Sequence, residues 1–188
     1  MKKTIVASVI ALAAVAAGAA NAATATGDKT AGTLDLNFVG TVSAVTCALE
    51  PSVDGVKSKN DIQLGQVKLG QGNKGEDIIV AFKPTPDSVT SCTHAGGDGF
   101  VMQWSGVGVA FDSNGLKATS GLADDAYVQI ASVNSRTPDT MIASDNQQVV
   151  FDNDKVTSGD GLQYKVNLVS GTKVGDMTTT AQVKHWYK

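Results

Sequence analysis

Gln163-Tyr164-Lys165-Val166-Asn167-Leu168 alternates residue by residue: Tyr164, Val166 and Leu168 fall on one face of an extended chain, and Gln163, Lys165 and Asn167 on the other. One face is core and the other is water. Weaker runs of the same kind occur at Asp61–Val67, Ile78–Phe82, Phe100–Trp104, Tyr127–Ala131 and Gln148–Phe151, spaced as the strands of a two-sheet sandwich are. Turn-forming clusters separate them: Pro84–Ser88, Ala95-Gly96-Gly97-Asp98-Gly99, Asp112-Ser113-Asn114-Gly115 and Ser158-Gly159-Asp160-Gly161. No stretch beyond the first two dozen residues keeps apolar residues at i, i+3, i+4 and i+7 for three turns. The sequence therefore predicts an all-β chain.

The opening residues are set apart from that fold. Lys2 and Lys3 lead an apolar run from Ile5 to about Ala17 that ends in Ala20-Asn21-Ala22. It is too short to span a bilayer, and its basic head and small-residue exit read as a secretory signal peptide over residues 1–22. With two lysines and no acid removed, the formal net charge moves from −3 to −5, which argues against nucleic acid or an anionic membrane surface as partner. The chain has 188 residues, of which 42% are hydrophobic and 18% charged. That suits one folded domain and excludes a disordered chain.

Export also bears on the cysteines. The chain has two, Cys47 and Cys92, and an oxidising compartment favours their pairing in one disulfide. The loop so closed corresponds to roughly 4 kcal/mol in the chain-entropy model. A zinc site from Cys47, Cys92, His94 and His185 would need four distant positions to converge without the usual close spacing. Catalysis finds little support. Ser91, His94 and Asp98 lie near a Gly-rich loop with no elbow or oxyanion element. Asp152-Asn153-Asp154 starts like a calcium loop, but Lys155 and Val156 follow where more oxygen ligands are needed. Gly96–Gly99 lacks a phosphate-loop lysine. Neither a cofactor nor an enzyme is expected.

Two further alternations frame the exported chain. Leu34, Leu36, Phe38, Gly40, Val42 and Ala44 alternate with Asp35, Asn37, Val39, Thr41 and Ser43; Ala181, Val183, His185 and Tyr187 alternate with Gln182, Lys184, Trp186 and Lys188. Periodicity alone leaves open whether they pair within one sheet as ordinary first and last strands. Gly40 is the odd member, because glycine weakens a strand unless another backbone comes close. Ala23–Gly32 reads as a flexible leader.

At this point the sequence resembles the chaperone-usher pilin family, the subunits of type-1-like fimbriae. The likeness is carried by Leu36 followed by Asn37-Phe38-Val39-Gly40-Thr41-Val42, with Cys47 five residues on; by Ile62-Gln63-Leu64-Gly65; by Cys92; by Gly175, fourteenth from the last residue; and by the penultimate Tyr187. Gly40–Glu50 and the Ile62 element are similar, more narrowly, to major subunits of thin enteric fimbriae that bind sialylated glycolipids. The resemblance implies an incomplete immunoglobulin-like sandwich, residues 45–188, lacking its last strand. A hydrophobic groove then lies open along the C-terminal strand, where Gly175, Val183, His185 and Tyr187 stand. A periplasmic chaperone first lends a strand to such a groove. The N-terminal donor strand of the next subunit, residues 33–44, then replaces it at an outer-membrane usher, with Leu34, Leu36, Phe38, Gly40 and Val42 facing the partner. It further implies a homopolymeric fimbria at the cell surface, reached through the periplasm, that supports adhesion to host cells. Where the family carries an apolar residue two before the penultimate Tyr, this chain has His185. A place at the groove mouth is its plain explanation, and a pH-responsive contact is the rival one. The alternative function is that the subunit is itself an adhesin for host glycans. Trp104, Arg136 and Trp186 are its candidate contacts, although Trp104 closes an apolar strand and fits the core better.

Overall fold

The computed structural model describes residues 47–58, 61–93 and 97–188. The expected signal peptide, leader and donor strand fall outside them, as do Leu34, Leu36, Phe38, Gly40, Val42 and His94. Among these described residues nine strands form: β1 (Leu49–Val53), β2 (Val56–Lys57), β3 (Ile78–Pro84), β4 (Phe100–Gly106), β5 (Leu116–Lys117), β6 (Tyr127–Ser132), β7 (Gln148–Phe151), β8 (Leu162–Val169) and β9 (Ala181–Tyr187). Two single-turn helices, α1 (Val89–Cys92) and α2 (Asn153–Val156), sit in connections. The strands make a six-stranded sheet in the order β2-β1-β3-β8-β6-β5 and a three-stranded sheet in the order β7-β4-β9. Every strand pairing is antiparallel. The fold is an all-β sandwich.

Aromatic side chains from both sheets meet edge to face in the core. Tyr164 of β8 packs against Trp104 of β4 and Phe151 of β7, with ring centroids 5.0 and 5.6 Å apart, and Phe82 of β3 meets Trp104 at 5.8 Å. Tyr164, Phe100, Phe151 and Met102 are fully buried. Cys47 and Cys92 are joined by a disulfide, their Cα atoms 4.7 Å apart.

The turn at 112–115 forms as its residues dictate. The Asp112 carboxylate accepts from the amides of Asn114 at 2.7 Å and Gly115 at 3.0 Å, the Asx geometry that favours Asp at this place.

Two departures from the expected strands carry meaning. Leu168, on the core face of β8, is only half-buried, while Asn167 on the opposite face is buried. The Asn167 amide donates to the Asp77 carboxylate at 2.6 Å, so the loop ahead of β3 covers that face. Leu168 is left uncovered because it borders a cavity. The second departure is a correction: Asp61–Val67 is not a strand. It keeps its alternation, with Ile62 and Leu64 packed on the core and Asp61 and Gln63 exposed, but among the described residues nothing pairs with it. It too borders the cavity.

Candidate functional site

A cavity of about 1340 Å³ opens between the sheets along β9. It is roughly nine times the size of an engineered cavity that holds one benzene and exceeds ordinary small-molecule sites. Its scale is that of a polypeptide segment. Met102 and Trp104 of β4, Val128 and Ile130 of β6, and Val166 of β8 form its apolar floor, and Ile62, Leu64, Ala181, Val183 and His185 also line it.

β9 forms a sheet edge here, since among the described residues it pairs with β4 alone. Its polarity follows from the register. The Val107 amide donates to the Thr180 carbonyl at 2.9 Å and the Lys188 amide to the Gly99 carbonyl at 2.8 Å, so even-numbered residues turn their backbone groups to β4. The amides and carbonyls of Ala181, Val183, His185 and Tyr187 therefore point toward the groove, and among the described residues no backbone group pairs with them. The same four side chains are half-buried, while Gln182, Lys184 and Trp186 are exposed. One row of residues thus offers both apolar side chains and open hydrogen-bonding groups, which is the template that attracts another strand.

The two ends of the groove differ. At one, the Tyr187 hydroxyl donates to the Cys92 carbonyl and the His185 Nε2–H to the Cys47 carbonyl at 2.7 Å. The His185 ring stacks on Phe100 with centroids 5.5 Å apart, and burial raises the Tyr187 hydroxyl above its ordinary pKa. At the other end stands Gly175, with φ +147°, where a Cβ would run into Leu122; only glycine suits that backbone and that space. Leu122 and Val174 beside it are 73% and 74% exposed. The sequence alternation placed Val183, His185 and Tyr187 on one face, and they share it. The bonds to the cysteine carbonyls had no sequence signal, because they join residues 138 and 95 positions apart.

Trp104 lies in the groove floor, 5% exposed. Its indole N–H and the Tyr164 hydroxyl are both buried without partners among the described residues, and burial drives the Tyr164 hydroxyl well above its ordinary pKa. Arg136 donates from Nε to the Asp152 carboxylate at 2.7 Å and from its terminal nitrogen to the Asp98 carbonyl. The Asp152 bond, aided by nearby Asp98, raises its pKa. Trp186 faces outward beside Val101 of β4. The two tryptophans therefore lie on opposite faces of the small sheet. Among the described residues no group of three or more His, Cys, Asp or Glu side chains is placed to hold a metal ion.

No family model matches the sequence. The F107 fimbrial protein of Escherichia coli is 31% identical over 154 residues, which cover 82% of this chain and 86% of that protein. With this identity extending over most of both chains, alongside a two-sheet sandwich stapled by one disulfide, the chain belongs to the fimbrial subunit family.

Proposed function

We propose that this subunit polymerises by donor-strand exchange: residues 33–44 of one copy fill the groove of the next and complete an immunoglobulin-like sandwich. The observation that carries the reading is the groove itself, apolar along its floor and bounded by the unpaired β9 edge. The failed strand at 61–67 supports it as well. Its alternation is that of a strand, and it lines the same cavity as β9, so an inserted strand would meet both segments. Burying Leu34, Leu36, Phe38 and Val42 would contribute roughly 1.5–3 kcal/mol each, about 6–12 in sum as an upper bound. Ladder bonds set register and add affinity. Before exchange, a periplasmic chaperone covers the groove, and an outer-membrane usher receives the subunit for the cell surface. The fibre supports adhesion to host cells as a structural part, with no catalysis and no cofactor. Direct glycan binding by the subunit, sialylated ligands included, is the secondary reading, favoured by the exposed Trp186.

Exchange makes donor and acceptor separable. Phe38→Asp places a charge where the donor strand would be buried and leaves the groove intact. Alone, the variant forms no fibre; mixed in trace with wild type, it occupies one fibre end and shortens the length distribution seen by electron microscopy. Fibres of normal length from Phe38→Asp alone would overturn donor-strand exchange.

A further inference from the structure

Two residues of the groove edge also hold the two half-cystines. His185 reaches the Cys47 carbonyl, which can only accept, so the ring nitrogen at 2.7 Å is the donor. Tyr187 reaches the Cys92 carbonyl. With the disulfide, these bonds close a ring: β9 to Cys47 through His185, Cys47 to Cys92 through sulfur, and Cys92 back to β9 through Tyr187. The His185 ring is held on its other side by the fully buried Phe100, so it has one orientation in which to make the bond. Cys47 also lies three residues past Ala44, the end of the donor segment, in sequence. Val42, the last apolar donor position, precedes it by five residues, a reach of at most about 18 Å.

We propose that His185 is a positioning residue that fixes the root of the chain's own donor segment to the edge of its own acceptor groove. This rests on the strand-exchange reading of that groove. The ring nitrogen and the backbone of His185 act in different directions: the backbone faces the strand that would arrive from one neighbour, and the ring faces Cys47, the first described residue after the donor segment. Cys47, through which the donor segment joins the sandwich in sequence, is thereby tied to the groove edge. An apolar residue at position 185 could line the groove equally well, yet could not grip Cys47.

The test reads hydrogen exchange by mass spectrometry in the full exported chain, its groove filled with a synthetic peptide of residues 33–44. His185→Phe keeps a ring on Phe100 and loses only the donor; His185→Gln restores an N–H donor. Exchange at residues 42–47 should be about 3- to 10-fold faster in His185→Phe than in wild type, the factor one hydrogen bond is worth. It should return to within about 2-fold of wild type in His185→Gln, while exchange in β8 stays unchanged in both. A merely structural role would speed β8 along with residues 42–47, and that result overturns the proposal, as does a wild-type rate at 42–47 in His185→Phe. If His185→Phe does not fold, His185→Leu carries the same comparison. Failure of the peptide to protect β9 in wild type would instead refute the exchange reading, and the proposal with it.

Discussion

Asp125 shows what a single half-buried side chain does for the groove. Its carboxylate accepts from the Thr172 hydroxyl and amide, both at 2.6 Å, and from the Lys173 amide at 3.3 Å. The Thr172 bonds hold its pKa below the usual aspartate value. They pin the connection between β8 and β9 just ahead of Gly175, so the groove's open end depends on them. A carboxylate whose pKa is depressed on folding stabilises above its unfolded pKa, and that contribution is lost as pH falls through the folded value. The stability gap between wild type and Asp125→Asn is therefore expected to be widest at neutral pH and to shrink below about pH 4, followed by thermal unfolding of a strand-complemented monomer. A gap that stays constant down to pH 3 would contradict the role given to this carboxylate. At this scale the sequence was partly legible. Alternation assigns Val183, His185 and Tyr187 to one face because period two is a local property, whereas the partners of Asp125 and His185 come from folding of the whole chain.

Among the elements, β3, β4, β6, β7 and β8 all lie where apolar runs predict them, because each buries side chains that its own sequence supplies. The short strands β1, β2 and β5 escape such reading: β1 carries Pro51, and β2 and β5 have two residues each, too few to show a period. Asp61–Val67 fails in the opposite sense, since the pattern is present and the partner is not. A strand is a property of a pair, and alternation reports only one member of it. The disulfide belongs to this scale too, since it joins the chain just ahead of β1 to α1 and, through His185 and Tyr187, steadies β9. Replacing both Cys47 and Cys92 by Ala in a strand-complemented monomer should cost roughly 4 kcal/mol, a fall of about 8–16 °C in melting temperature for a domain of this size. A loss below about 1 kcal/mol by denaturant titration would show that the bridge adds little beyond the packing around it.

At the scale of the molecule, the proposed exchange requires a sandwich short of one strand's worth of hydrophobic cover, and the described residues fit that requirement. Among the described residues, Leu168 is half-buried where its neighbours are buried, Ile62 and Leu64 line the cavity with no ladder, and β9 ends the small sheet with one partner. These are three views of the same deficit. A soluble monomer rarely leaves such an edge and such a floor uncovered together, and the apolar alternation at residues 34–42 has the composition to cover both.

The most direct measurement compares two forms of the exported chain by sedimentation and thermal unfolding: the chain as it stands, and the chain with Thr33–Ala44 repeated after Lys188 through a short linker. The account predicts that the first self-associates, while the second is a monomer whose melting temperature lies at least about 12 °C higher, the lower end of what a gain of roughly 6–12 kcal/mol implies. A stable, dispersed monomer from the chain as it stands, unchanged in melting temperature by the added strand, would contradict it.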